Sequence, residues 1–187
     1  LMFVAGPDKD MEWNDHGIEG ASRFVQAFVR LFDKVGGSSN AVMEHKLNKI
    51  LAFVEKSYEN FEFNKGIVAF MEFVNYLTGL EKVPKFVLET LVLMSAPIMP
   101  HLAEEIWQKL GRASLVVQEG WPKVNESKIN EDFDVQEAAF EKLVSDVNAV
   151  IRLAKEKSGK ECKKVYLYVL PQELESYSSE GIEKRVD

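Results

Sequence analysis

Two prolines three residues apart, Pro97 and Pro100 in "SAPIMPHLAEEIWQKLG" (Ser95–Gly111), set the tightest limit on how this chain folds. Each lacks a backbone N–H and pushes the residue before it, Ala96 or Met99, toward extended angles, so no straight helix runs through the segment. The residues leading into the break, "FVLETLVLMSA" (Phe86–Ala96), are apolar nearly all round, the pattern of a helix surrounded by others. Beyond it, Leu102, Ile106 and Leu110 share one face and Gly111 is the expected terminator. Glu104 and Glu105 are expected in the first turn, where the helix dipole favours negative charge. A central helix that begins after Val83, with Pro84 in its first turn, must therefore kink or restart at the prolines.

The preceding chain supplies its surroundings. Apolar residues at helical period, Ile18, Ala21, Val25, Phe28, Leu31, Phe32 and Val35, predict a first helix from Asp15 to Val35, stopped by Gly36-Gly37. Val42, Leu47, Ile50, Leu51, Val54 and Tyr58 predict a second from about Ser39 to Asn60, capped by Ser38 or Ser39. Ile67, Phe70, Met71, Val74 and Leu77 predict a third from Asn64, a candidate cap, to Gly79. "SLVVQEGWPKVNE" reads as a loop anchored by Trp121, and helical period returns from Asp134 to Lys157. "KKVYLYVLP" then reads as a strand bounded by Pro171. The expected architecture is mainly α: an antiparallel four-helix bundle over residues 17–123, preceded by a connector (1–16) and followed by a small α/β C-terminal piece (124–187).

Composition narrows the partners. The net charge is −7, and neither residues 1–124 nor the remainder is basic, so any nucleic-acid contact has to come from local patches. The longest stretch without a charged residue, Thr90–Ala103, is too short to span a bilayer, so no membrane is expected. One cysteine, Cys162, makes neither an internal disulfide nor a cysteine-rich metal site and suits a reducing compartment, with the cytoplasm as the expected location. The chain opens on leucine with no signal-like segment, and a piece of a longer polypeptide is expected.

Motifs for chemistry are scarce. His16, His45 and His101 lie on different predicted elements, and "HLAEE" lacks the second histidine that a helical zinc site needs, so no metal site is expected. No phosphate loop and no Gly-x-Ser-x-Gly occurs, and no base accompanies Cys162. Basic clusters remain: Arg23 and Arg30 share a stripe of the first helix, Lys46 and Lys49 one of the second, and "AKEKSGKECKK" gathers further lysines, among them Lys163 and Lys164. By spacing alone such pairs are ordinary surface charge or phosphate contacts.

Longer stretches carry a resemblance. "APIMPHLAEEIW" resembles a segment of the leucyl, isoleucyl, valyl and methionyl class I aminoacyl-tRNA synthetases, in which a hydrophobic helix breaks at prolines before Pro-His-x-Ala-Glu-Glu-x-Trp; Pro97, Pro100, His101, Ala103, Glu104, Glu105 and Trp107 match. "FVAGPDKDMEWNDHGIEGASRF" resembles the leucyl enzymes at Glu12, Trp13, Asp15, Gly17, Gly20, Arg23 and Phe24. His45, Lys46 and Lys49, then "FEFNKGIVAFMEFVNYL" and "SLVVQEGWP", are similar to further stretches of that family in the same order.

The resemblance implies the anticodon-binding helical domain of a leucyl-tRNA synthetase. The parent activates leucine with ATP and Mg and esterifies it to tRNA in a Rossmann-type catalytic domain. This chain holds no His-Ile-Gly-His or Lys-Met-Ser-Lys-Ser motif, so a non-catalytic piece without a cofactor of its own is expected. It is expected to act as a monomer that holds leucine tRNA isoacceptors, with Arg23, Arg30, Lys46, Lys49, Lys163 and Lys164 on the RNA and Trp13, Trp107 and Trp121 as packing anchors. An isoleucyl or valyl relative is the nearest alternative, and a helical protein-interaction module is a second.

Overall fold

In the computed structural model, residues 15–158 are described without a break, together with residues 2, 3, 5–7, 9, 10, 164 and 166. Two compact units form, residues 1–129 and 130–187. The first holds α1 (Asp15–Leu31), α2 (Ala41–Glu59), α3 (Phe63–Thr78), α4 (Lys85–Ser95) and α5 (Pro100–Lys109); the second holds α6 (Glu131–Ser158). The described residues contain no strand ladder, only an isolated parallel bridge between Val35 and Val83. The stretch expected as a strand, apart from Lys164 and Tyr166, lies outside them.

Each helix of the first unit turns one apolar stripe into a shared core. Phe24 and Phe28 of α1 meet Phe70 of α3, with the Phe28 ring centroid 5.6 Å from that of Phe70, and Leu31 joins the same core. Met43, Leu47, Leu51 and Val54 come from α2, and Phe73, Val74 and Leu77 from α3. On α4, Val87, Leu88, Leu91, Val92 and Met94 are all at 0% exposure, as its near-uniform apolarity requires.

Helix ends differ from the expectations in instructive ways. α1 stops at Leu31 and passes through a 3-10 turn (Phe32–Lys34), because Val35 leaves to bridge Val83; Val35 is consequently exposed. Neither Ser38 nor Ser39 caps α2: Asn40 does, its side-chain oxygen accepting from the Met43 N–H at 2.8 Å, while the Ser39 hydroxyl donates to Glu44. Asn64 lies inside the first turn of α3 and caps nothing. At the other end of α3, Gly79 keeps a right-handed φ of −73°, and the Lys34 ammonium donates to the carbonyls of Thr78 and Leu80 at 2.6 and 2.8 Å.

α2 and α5 end in the same closure. After α5, the Arg112 N–H reaches back to the Trp107 carbonyl and that of Gly111 to Gln108, with Gly111 left-handed at φ +81°. After α2, the Glu62 N–H reaches Ser57 and that of Phe61 reaches Tyr58, but the left-handed residue is Phe61, at φ +57°. An aromatic side chain in that conformation costs roughly 1–2 kcal/mol that glycine would not.

The prolines do split the fourth helix. α4 ends at Ser95, whose carbonyl accepts from the Ile98 and Met99 N–H groups, and Pro100 opens α5. α5 then doubles back along α4, because Arg112, just past its end, makes a two-point ion pair at 2.8 Å with Glu89 in the second turn of α4. Trp107 is buried in this hairpin at 3% exposure, its indole N–H on the Ser114 hydroxyl at 3.3 Å and the Arg112 guanidinium over its ring at 5.4 Å. Glu104 and Glu105 fall beyond the first turn. Glu104 instead accepts the Val116 N–H at 3.0 Å and so folds the following loop onto α5.

The first unit extends to Ile129 because the chain after Trp121 is tied to α2: the Asn125 N–H donates to Asn48 at 2.7 Å, and the Lys128 ammonium lies 2.6 Å from Glu44. In the second unit, Asn130 caps α6, accepting from the Asp132 N–H at 3.0 Å.

Two glycines and one ion pair give measurable consequences. A Cβ on Gly20 of α1 would meet nothing, so Gly20→Ala is expected to stabilise the protein by about 0.5–1 kcal/mol in urea melts. A Cβ on Gly66 of α3 would lie 2.9 Å from the Tyr58 ring, which Phe63 and Trp121 hem in, so Gly66→Ala is expected to destabilise it by about 1 kcal/mol, overpacking outweighing helix propensity. The Arg112 guanidinium holds the Glu89 carboxyl below the usual carboxylate range. That contribution is complete above the ordinary carboxylate pKa and is lost as pH falls through the lowered one, so the stability advantage of the protein over Glu89→Gln should shrink between about pH 5 and pH 3.

Candidate nucleic-acid interface

The four basic residues singled out in the first two helices occupy different settings. Arg23 and Arg30 stand exposed on α1. Arg23 has no hydrogen bond or ion pair among the described residues, and Arg30 donates through Nε to the Gln26 carbonyl of its own helix at 3.2 Å. Lys49 is exposed on α2. Lys46 is half-buried, with its ammonium 5.1 Å from the centroid of the Tyr76 ring on α3, a cation–π geometry. α1 and α2 both pack on α3; Arg23, Arg30 and Lys49 stay exposed on them, whereas Lys46 turns toward α3. Lys164 is exposed, whereas Lys163 and Trp13 lie outside the described residues.

Other cations are engaged structurally. Lys34 closes α3, Lys128 pairs with Glu44, and Arg112 pairs with Glu89. Hydrogen bonds from Lys128 and Ser39 lower the pKa of Glu44, and one from Lys109 lowers that of Glu105. These carboxylates are held ionised by cationic partners, which suits surface pairing and not proton donation. No group of three or more potential metal ligands occurs among the described residues, and none of their helices is long and apolar enough to cross a membrane. In the first unit, clefts of about 270 Å³ beside Asn48 and Lys128 and about 250 Å³ beside Trp121 are small for a substrate pocket and bring together no nucleophile and base.

The sequence pattern does not announce the aromatic cluster at the turn between α2 and α3. There the rings of Phe61 and Phe63 meet edge-on at 5.8 Å, Phe63 meets Tyr58 at 5.6 Å, and Tyr58 meets Trp121 at 5.9 Å. Trp121 is half-buried; its indole N–H and the Tyr58 hydroxyl are buried without a partner among the described residues. Burial pushes the Tyr58 phenol up to about 12. Phe61 itself is 67% exposed. Its neighbours in "ENFEFN" offer no glycine or asparagine at the left-handed position, so the pattern that marks such a turn is missing.

What this surface offers is a scaffold with exposed cations and an exposed aromatic turn. Charge of this kind binds phosphate and sugar, which orient a nucleic acid without reading its bases. The family model described as "Anticodon-binding domain of tRNA ligase" matches residues 40–167, beginning at the residue that caps α2. Among solved structures, the ternary complex of the agnB2 LeuRS from Agrobacterium radiobacter K84 with tRNA and LeuAMS is similar, with a TM-score of 0.57 and 28% identity over 69% of this chain. The match spans 19% of that LeuRS chain.

Proposed function

This chain belongs to the family of anticodon-binding domains of tRNA ligases, and on that premise we propose that it grips tRNA on behalf of a leucyl-tRNA synthetase whose catalytic domain lies outside it. The observation that carries the leucyl reading is the similarity, at 28% identity, to a LeuRS bound to tRNA. The leucyl-like stretch from Glu12 to Phe24 supports the same choice over an isoleucyl or valyl enzyme.

In this reading the domain contributes position and no chemistry. Arg23, Arg30 and Lys49 meet phosphates from the outer faces of α1 and α2, and Lys163 and Lys164 add a second basic patch. Lys46, half-buried over Tyr76, is the most constrained of these cations. Holding the body of a tRNA fixes where its acceptor end lies, so binding energy is converted into orientation at a distant reaction centre. ATP and Mg belong to the catalytic domain.

The binding assay is fluorescence anisotropy with a leucine tRNA transcript over a range of salt. Replacing Arg23 and Lys49 together by Gln is expected to weaken binding and to reduce the slope of log affinity against log salt by about one for each phosphate no longer neutralised; an unchanged slope would remove these two residues from the interface. Equal affinity for isoleucine and valine transcripts would count against the leucyl assignment at this domain. The purified chain is expected to give no leucine-dependent ATP–pyrophosphate exchange, and a signal above background would overturn the division of labour.

A further inference from the structure

We propose that Phe61 is a stacking platform for one unpaired nucleobase of the bound RNA, an inference that rests on the tRNA-binding reading above. Phe61 is 67% exposed, against 46% for Phe53 and 45% for Phe86. Its backbone sits at φ +57°, in the same closure that Gly111 completes after α5 at φ +81°. A residue free of strain fits this position, so the protein accepts a less stable turn and displays a ring there.

The ring is backed and flanked in a way that suits a base. Phe63 supports it edge-on, Tyr58 supports Phe63, and Trp121 supports Tyr58, so an aromatic series runs from the exposed turn to residues packed on the core. Lys56, in the last turn of α2, is exposed and has no hydrogen bond or ion pair among the described residues. Lys65, in the first turn of α3, stays 56% exposed while neutralising Glu62 at 2.6 Å. The two lysines flank Phe61 in sequence, one on the helix before the turn and one on the helix after it, leaving Glu59 as the one carboxylate at the turn without a cationic partner among the described residues.

Area decides between an RNA base and a protein partner. A stable protein interface covers about 800 Å² on each side, whereas beside Phe61 the one apolar ring in contact, Phe63, is half-buried, and the sequence neighbours Glu59, Asn60, Glu62 and Lys65 are charged or polar. A single exposed ring matches a single base. Stacking of this kind accepts any base whose face is free, so the platform senses an unstacked nucleotide and not a sequence.

The experiment uses the full chain, the leucine tRNA transcript, and Phe61→Gly and Phe61→Tyr. Phe61→Gly is expected to raise Tm by about 2–4 °C, to weaken transcript binding by about fivefold or more, and to leave the salt slope unchanged, because every phosphate keeps its cation. Phe61→Tyr is expected to bind within about twofold of the parent, since a phenol stacks as a phenyl does. The proposal is overturned if Phe61→Gly binds as tightly as the parent, if Phe61→Tyr is weakened as much as Phe61→Gly, or if the weakening comes with a flattened slope. A parent chain that does not bind the transcript overturns the tRNA reading and this inference together, whereas normal parent binding with no response to Phe61→Gly overturns the inference alone.

Discussion

An eleven-residue helix with hardly any polar side, α4, imposes most of this architecture. Five of its apolar side chains reach 0% exposure, which is possible only if other helices enclose it. α2 packs on it directly, α3 extends the layer, and α5 returns along it after the proline break. Pro97 and Pro100 are therefore the means by which the chain covers its own greasiest segment. An uninterrupted helix would have carried Ile106, Trp107 and Leu110 away from the surface they now bury.

Polar side chains then fix what apolar burial leaves undirected. Glu89 fastens the end of α5 through Arg112, Glu104 holds the loop at Val116, Asn48 receives Asn125, and Lys34 closes α3. Each satisfies backbone groups or a charge that would otherwise meet solvent or nothing. None of them requires the exposed faces of α1 and α2. Arg23, Arg30 and Lys49 are exposed on those faces, so a chain of net charge −7 that belongs to the family of anticodon-binding domains of tRNA ligases still presents cations locally.

The turn at Phe61 runs against this economy. Elsewhere the chain uses residues suited to their backbone, such as Asn40 as a cap and Gly111 in a left-handed closure. Departures from local preference of this kind gather at functional positions, where stability is exchanged for a presented group.

Much of the fold was legible in the pattern of apolar residues. The periods of three and four located the helices, the uniform apolarity of Phe86–Ala96 marked the central one, and the prolines marked its break. Helix ends were less legible: Ser38, Ser39, Asn40 and Asn64 are all good caps in isolation, and only the path of the neighbouring chain selected Asn40. Long-range pairs such as Arg112 with Glu89 and Asn48 with Asn125 were invisible because they join residues far apart in sequence. The same holds for the cations, which as sequence are only charges at helical spacing. Periodicity is a local property set by the geometry of a single helix, so the chain by itself determined where helices form and which faces they bury. Which charges stay exposed, which are used up in pairs, and which aromatic ring is left standing at a turn depend on what lies across the fold, and the packing alone decided those.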